Sequence, residues 1–105
     1  MTPEEINRRI AEWVGCEPKF MSVNGVTYDQ HFEPFPKDYY GSNAAMDLLG
    51  VLVERGYSPC LFWCIGNKWS IELYFDGDYV LGVSKETIPA AICTAIIELI
   101  EREGK

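Results

Sequence analysis

Three β-rich runs joined by two glycine turns constrain the fold of this 105-residue chain more strongly than any other feature of its sequence. The run CLFWCIG is joined to KWSIELYFD at Gly66-Asn67, and Gly77-Asp78 leads from that second run into YVLGVSK. Glycine next to asparagine or aspartate is typical of the two-residue turns that join antiparallel strands. The sequence therefore predicts a three-stranded antiparallel meander.

The middle run alternates between apolar and more polar side chains. Trp69, Ile71, Leu73 and Phe75 share one face of the predicted strand. Such alternation indicates that one face packs on the core and the other is at least partly wet. The first run is apolar on both faces, so we expect another part of the protein to cover it.

Capping signals predict helices at both ends of the chain. Thr2 precedes a proline and lies three residues before Glu5, which is a capping box, and Gly15 ends this first helix. Thr87 caps a last helix over residues 88–101, whose apolar side chains recur at helical spacing.

Between them, Asn24-Gly25 predicts a small hairpin within KFMSVNGVTYDQ. Ser42 is the expected cap of a second helix, NAAMDLLGVLVER. This helix is apolar nearly all round, so we expect it to be buried on more than one side, inside the domain or in a subunit interface.

These elements predict one α+β domain over residues 1–105, with the order α-ββ-α-β-β-β-α and helices packed against the sheet. Hydrophobic residues make up 48% of the chain, enough for a core without disulfide or metal staples. The order of the last five elements also resembles that of double-stranded RNA-binding domains. Those domains need a basic helix N-terminus, whereas SKETIPAA offers one lysine beside a glutamate.

The net charge of the chain limits which binding partners are expected. Sixteen acidic and nine basic residues give a formal net charge of −7. This charge disfavours direct binding to nucleic acid and to anionic membranes. The charged N-terminal helix is unlike a signal peptide, and no apolar run approaches the length of a membrane span. We therefore expect a cytoplasmic protein.

The four cysteines do not form a metal or disulfide pattern. Cys60 and Cys64 lie in a predicted strand, Cys93 lies on a predicted buried helix face, and Cys16 follows the first helix. We expect all four to be reduced, metal-free and packed as small hydrophobic residues, although a metal or redox role stays open. The sequence indicates no cofactor.

Catalytic signals are equally sparse. The single histidine, His31, has Asp29, Glu33 and Asp38 near it in sequence. It could act as a general base or bind a metal, but a loop histidine without such a role is the favoured interpretation. No phosphate loop or activated nucleophile is recognisable, so we do not expect an enzyme.

The segment HFEPFPKDYYGSN combines aromatic residues with two prolines and therefore predicts an ordered loop. In one interpretation Asp38 and Ser42 cap the helix that follows, and the aromatic rings pack as a lid on the edge of the sheet. In the other, part of the loop and the preceding hairpin form a binding surface, since rings on a stiff loop lose little entropy on docking.

Three segments resemble a family of small phage and prophage proteins, the phage ABA sandwich domain. They are EEINRRIAEWVGCEP, FPKDYYGSNAAMDLL and ETIPAAICTAIIELI, although Lys37 interrupts the proline–aspartate–tyrosine motif of the family. The resemblance implies helices on both sides of a sheet and residence in a bacterial host cell. It brings no established activity and no catalytic residues.

We therefore expect a noncatalytic binding protein that acts on a host protein, such as a defence factor, and self-associates as a homodimer. A sponge for a small signalling nucleotide is the alternative, and a minor enzyme is the third. The expected binding residues are aromatic, for affinity, and acidic, for steering toward a basic partner. They are Phe35, Asp38, Tyr39, Tyr40, Glu72, Asp76 and Asp78. The last three could instead hold a divalent ion or form only a solvated rim.

Overall fold

A three-stranded antiparallel meander with helices packed against it forms the body of the protein, as the turns and caps predict. The computed structural model describes residues 1–104. A two-stranded hairpin precedes the meander, and the element order is the predicted one. The elements are α1 Pro3–Val14, β1 Pro18–Met21, β2 Thr27–Asp29, a 3₁₀ helix Asn43–Met46, α2 Asp47–Glu54, β3 Tyr57–Cys64, β4 Lys68–Phe75, β5 Asp78–Lys85 and α3 Ile88–Glu103.

The register of the meander places its apolar side chains on one face. Leu61 of β3 lies opposite Ile71 of β4, and Leu73 of β4 lies opposite Leu81 of β5. Ile71, Leu73 and Leu81 are fully or almost fully buried. The predicted alternation along β4 is confirmed for Ile71 and Leu73, because residues two apart on a strand share a face. It is wrong at Phe75, which is 48% exposed at the end of the strand, and at Ser70, which is buried.

The long helix α3 supplies most of the remaining core. Ile92, Ile96 and Leu99 are buried along it, and the helix packs on β4 and β5. Helix α1 in turn packs on α3 through Ile10 and Ala11. This packing fixes the position of the end of α1, which forms one part of the candidate site.

The helix caps form largely as predicted. The Oγ1 of Thr2 accepts the backbone N–H of Glu5 at 3.2 Å, and the Oγ1 of Thr87 accepts that of Ala90 at 3.2 Å. Gly15 ends α1 with a φ of 106°, a left-handed conformation that favours glycine. Ser42 caps a 3₁₀ turn rather than an α-helix, so α2 is shorter than predicted.

The apolar strand β3 and the apolar helix α2 are less covered than predicted. Phe62 is 39% exposed and Trp63 is 53% exposed, while Met46 and Val53 beside and within α2 are exposed as well. The cause is topological: β3 is an edge strand, and the helices in the described part of the chain pack on one face of the sheet. The expectations of a covered first strand and of helices on both sides of the sheet are therefore wrong for this chain.

The hairpin of β1 and β2 stands apart from this body. The hydrophobic core cluster includes no residue of either strand. The molecule is accordingly elongated, with extents of 47 × 29 × 23 Å. In the described range 1–104, no helix combines the length and apolar character needed to cross a membrane.

Candidate functional site

The loop after β2 begins with a turn that Asp29 organises. One carboxylate oxygen of Asp29 accepts the backbone N–H groups of His31 at 2.8 Å and of Glu33 at 3.0 Å. Its own backbone N–H donates to the carbonyl of Glu33 at 2.8 Å. Burial acts to raise the pKa of Asp29, but these N–H donors outweigh burial and hold the pKa below its usual value. The carboxylate is therefore a structural anion.

The second half of the loop is tied to α1 by Asn7. The side-chain oxygen of Asn7 accepts the backbone N–H groups of Tyr39 and Tyr40, both at 2.9 Å. Its amide nitrogen donates to Asp38 at 3.1 Å, and the same Asp38 oxygen accepts the N–H of Gly41 at 3.0 Å. Asn7 is itself buried. A buried side chain with this many partners fixes the loop against the helix.

The aromatic residues of the loop divide into two groups. Tyr39 is only 5% exposed and belongs to the core, against which Phe35 and Tyr40 also pack. Phe32 is 76% exposed. The rings of Phe35, Tyr39 and Tyr40 therefore pack inward, as the lid interpretation predicts. Tyr39 does not offer its ring to a partner, as the binding interpretation required of it.

Phe32 instead joins the exposed side chains of the hairpin. Its ring lies 5.4 Å from that of Phe20, which stacks on Tyr28 at 5.5 Å between centroids. Large apolar side chains are exposed on and around this hairpin, and we name the group the hairpin patch. It consists of Phe20, Met21, Val23, Val26 and Phe32.

Below the loop lies a cavity of about 250 Å³. It opens between the end of α1, the loop and the start of α2. Apolar side chains such as Val14 and Leu48 form one side. Polar and ionisable groups form the rest, namely Cys16, Asp29, His31, Glu33, Lys37, Tyr39 and Asp47.

Burial and charge shift two pKa values in this cavity. Burial is the main cause that raises the pKa of the Cys16 thiol, and the neighbouring Asp29 carboxylate adds to it. Burial, followed by the charges of Cys16, Glu33, Asp29 and Asp47, raises the pKa of Tyr39 to about 12. Both groups are therefore neutral near pH 7 and act as hydrogen-bonding groups rather than as anions.

The predicted acidic residues do not join the aromatic ones. Glu72 lies in β4 on the face away from the helices, where the hydroxyl of Tyr74 donates to it at 2.8 Å. Asp76 and Asp78 are exposed at the β4–β5 turn. Tyr40 lies beside Lys68, near the other end of β4, and an eight-residue strand is about 25 Å long. The predicted set is thus spread over three places.

The cysteines fit the packing prediction unevenly. Cys93 is fully buried, and burial raises the pKa of its thiol to about 12. Cys64 lies 2.8 Å from the hydroxyl of Ser70, whereas Cys60 is exposed on the uncovered face of the sheet. All four are free thiols. The prediction that they pack as buried hydrophobic residues is wrong for Cys60, because β3 is uncovered on that face.

The ionisable groups of residues 1–104 include no cluster of three or more His, Cys, Asp or Glu that could hold a metal ion. A second concave region, of about 440 Å³, lies at the end of the sheet. Its lining includes Lys68, Lys85, Tyr40 and Thr87, together with the acidic Glu86. This sheet-end cleft brings together two lysines that are 17 residues apart in a strongly acidic chain.

Sequence reasoning missed Asn7 and the cavity. Asn7 lies three and four positions before the buried Ile10 and Ala11, on the inward face of α1. A polar residue on an apolar helical face predicts a buried hydrogen-bond network, so this signal was available. The convergence of Cys16 with Asp47 across the loop has no local signal.

No family model matches the sequence, and no curated protein matches it. The structure is similar to the 2.0 Å crystal structure of a phage protein from Bacillus cereus ATCC 14579. The two share 20% sequence identity with a TM-score of 0.67, and the match covers 96% of this chain and 89% of the other. The chain therefore has the fold of that phage protein, while the resemblance to the phage ABA sandwich domain family stays a prediction.

Proposed function

We propose that this protein is a noncatalytic binding module of phage or prophage origin that docks its hairpin patch onto a protein of the bacterial host. The observation that supports it is the exposure of large apolar side chains on and beside a hairpin whose strands lie outside the hydrophobic core cluster. Met21 is 68% exposed and Phe32 is 76% exposed. Contiguous exposed apolar side chains on a soluble fold mark interaction surfaces.

The stacked rings suit this role. Phe20 is held between Tyr28 and Phe32, so its ring loses little freedom when a partner covers it. Aromatic side chains and methionine are enriched in the buried centres of protein interfaces. The partner that fits is a protein with an apolar groove for these rings.

The net charge of the chain indicates the charge of the partner. The chain has a formal net charge of −7, and the exposed acids Asp76 and Asp78 contribute to it away from the hairpin. An anionic protein approaches a basic surface faster than a neutral one does. We therefore propose a basic host protein, such as a defence factor, whose action in the cytoplasm the binding inhibits.

A capture experiment tests this proposal. The tagged protein is incubated with lysate of the phage host, and captured proteins are quantified with excess untagged protein as competitor. The variant with both Phe20→Ser and Phe32→Ser should lose one competable partner, because it removes the stacked rings without touching the core. Replacing Asp76 and Asp78 by lysine should slow association and flatten its salt dependence.

The matched control is a variant with both Phe75→Ser and Tyr79→Ser, which removes two exposed rings from the far end of the meander. It should retain the partner. If both double variants lose it equally, or if the wild type captures no competable protein, the hairpin patch is not the contact surface.

We also propose that the protein self-associates through the edge of β3. This strand has no charged residue from Tyr57 to Cys64, and Trp63 is exposed on it. Two chains of net charge −7 repel each other, so a second copy approaches best where charge is absent. Unpaired edge strands readily pair with another copy of themselves.

Light scattering tests self-association. The wild type should show a mass of about twice 11.9 kDa at micromolar concentration. Trp63→Lys should return the mass to that of one chain, because it places a charge at the pairing edge. Met21→Lys, in the hairpin, should leave the mass unchanged. A wild type that is already monomeric contradicts the proposal.

The sheet-end cleft supports a second candidate function, the nucleotide sponge. Lys68 and Lys85 are the cations of this cleft, and Tyr40 offers a ring beside them. Phosphates bind lysines and bases stack on aromatic rings. Native mass spectrometry of protein purified from its own host should then show a bound nucleotide. It should be absent from the Lys68→Glu variant and present in Lys19→Glu.

A further inference from the structure

The cavity beneath the loop contains a hydroxyl group that lacks a protein partner. Tyr39 is 95% buried and lines the cavity, and its backbone N–H is bound by Asn7. Its phenol hydroxyl makes no hydrogen bond within the described residues 1–104. Among the described residues, the fully enclosed side-chain polar atom without a partner is Trp13 Nε1, so the Tyr39 hydroxyl is accessible and free to bond water or a ligand in the cavity.

The hydroxyl of Tyr39 is directed into the cavity. The charges that act on this phenol belong to Cys16, Glu33, Asp29 and Asp47, and all four residues line the cavity. Tyr39 lines the cavity together with these four residues and its hydroxyl is accessible, so the hydroxyl faces the space between them. The ring itself packs in the core, which fixes the direction of the hydroxyl.

The charges around the cavity are mainly negative. Glu33 pairs with Lys37 at 3.3 Å, so these two largely cancel. Asp29 and Asp47 remain, and Asp29 is a carboxylate held ionised by backbone N–H donors. Val14, Leu48 and other aliphatic side chains also line the cavity and give it apolar surface. The space therefore combines apolar surface with hydrogen-bond acceptors and negative charge.

We propose that this cavity binds an alkylammonium group, with the ammonium between the Tyr39 hydroxyl and the carboxylates of Asp29 and Asp47 and the alkyl chain against Val14 and Leu48. A cavity of about 250 Å³ holds a short chain of this kind. An alkylammonium group belongs to free aliphatic amines and to the side chain of lysine. The site is separate from the hairpin patch and does not depend on the proposed function.

Three probes of matched size test the proposal, namely n-butylammonium, 1-butanol and butyrate. Binding is followed by the NMR chemical shifts of backbone amides around the cavity. Butylammonium should bind at least about tenfold more tightly than butanol, because hydrogen bonds to a charged group are stronger than those to a neutral one. Butyrate should not bind. Comparison with Nα-acetyl-lysine methylamide distinguishes a free amine from a lysine side chain, since the bulkier amide fits only if the cavity accepts a side chain from outside.

Two variants and one control assign the binding to these residues. Tyr39→Phe keeps the ring and should lower the affinity for butylammonium about fivefold. Asp47→Asn removes an exposed charge without altering the core. It should lower the affinity for butylammonium about threefold. Glu4→Gln removes the same charge at the far end of α1, about 15 Å from the cavity, and should have no effect.

The proposal is overturned if butanol binds as tightly as butylammonium, or if Asp47→Asn and Glu4→Gln give the same affinity. It is also overturned if no probe shifts the amides of Cys16 and Asp47 in saturable fashion up to about 100 mM, which is weaker than specific binding requires. Because Asp47→Asn leaves the core intact, its comparison with Glu4→Gln tests the proposal even if Tyr39→Phe alters the fold.

Discussion

The segment around Tyr39 and the hairpin around Phe20 have similar aromatic content but opposite placements. Both are rich in aromatic residues and close to a turn. Tyr39 is in the core, and Phe35 and Tyr40 pack against it, while Phe20 and Phe32 form an exposed stack. The comparison shows that aromatic content alone does not separate a lid from a binding surface.

Hydrogen bonds from a buried polar side chain explain why the loop is packed and the hairpin is not. Asn7 holds the backbone N–H groups of Tyr39 and Tyr40, so the loop is fixed against α1 and its rings turn inward. The hairpin is tied to the loop through its backbone, where the Phe35 N–H donates to the carbonyl of Thr27 at 2.9 Å, and the side chains of its strands lie outside the core cluster. A segment that few buried contacts hold is the part of a fold that is free for a partner.

Tyr39→Ala should have the largest effect on stability. It empties a core position, and truncation of a buried aromatic ring costs about 3–5 kcal/mol. Urea unfolding measures this loss. Tyr39→Phe is the control and should stay within about 1 kcal/mol of the wild type, because only the hydroxyl is removed. Equal stability of Tyr39→Ala and the wild type would mean that the ring is outside the core.

Asn7→Ala should cost about 2–3 kcal/mol, because it leaves buried backbone N–H groups without an acceptor. Arg8→Ala changes the neighbouring exposed position of α1 and should shift the free energy of unfolding by less than about 0.5 kcal/mol. The same urea titrations measure both. Should the two variants unfold alike, Asn7 is not the anchor of the loop.

Acid should weaken the Asp29 turn. The folded pKa of Asp29 is below its ordinary value, so its carboxylate adds stability above the unfolded pKa of about 3.9. That stability is lost as the pH falls through the lower folded pKa. Asp29→Asn should therefore show a shallower loss of unfolding free energy below about pH 4 than the wild type. Parallel pH profiles would contradict this role.

Phe32→Ala in the hairpin patch should have the smallest effect. Its ring is already in water, so the free energy of unfolding should change by less than about 0.5 kcal/mol. Thermal unfolding, compared with Tyr39→Ala, measures the contrast. A large loss in Phe32→Ala would place the hairpin among the elements that stabilise the fold.

Local signals predicted most of the fold. The glycine turns, the caps at Thr2 and Thr87 and the burial of Ile71 and Leu73 along β4 each depend on nearby residues, and the structure has them there. The second turn is at Asp76-Gly77, one residue before the predicted Gly77-Asp78. Ser42 also caps, but a 3₁₀ turn precedes α2 there. Local chemistry determines where elements begin and end, within a few residues.

The candidate site could be predicted only in part, because it depends on contacts between distant segments. Whether β3 is covered depends on which face the helices choose, so the exposure of Cys60 has no local signal. The burial of Tyr39 depends on Asn7, which is 32 positions away. Glu72 and Asp76 share a strand face in sequence, but the aromatic residues are elsewhere in the fold.

The exposure of the aromatic rings to a soluble paramagnetic agent tests the central division most directly. In NMR spectra of the wild type, the agent should broaden the ring protons of Phe20 and Phe32 strongly and leave those of Tyr39 unaffected, because relaxation by the agent requires close approach. Phe35 and Tyr40 should be intermediate. Equal broadening of Tyr39 and Phe32 would contradict the division between a packed loop and a free hairpin.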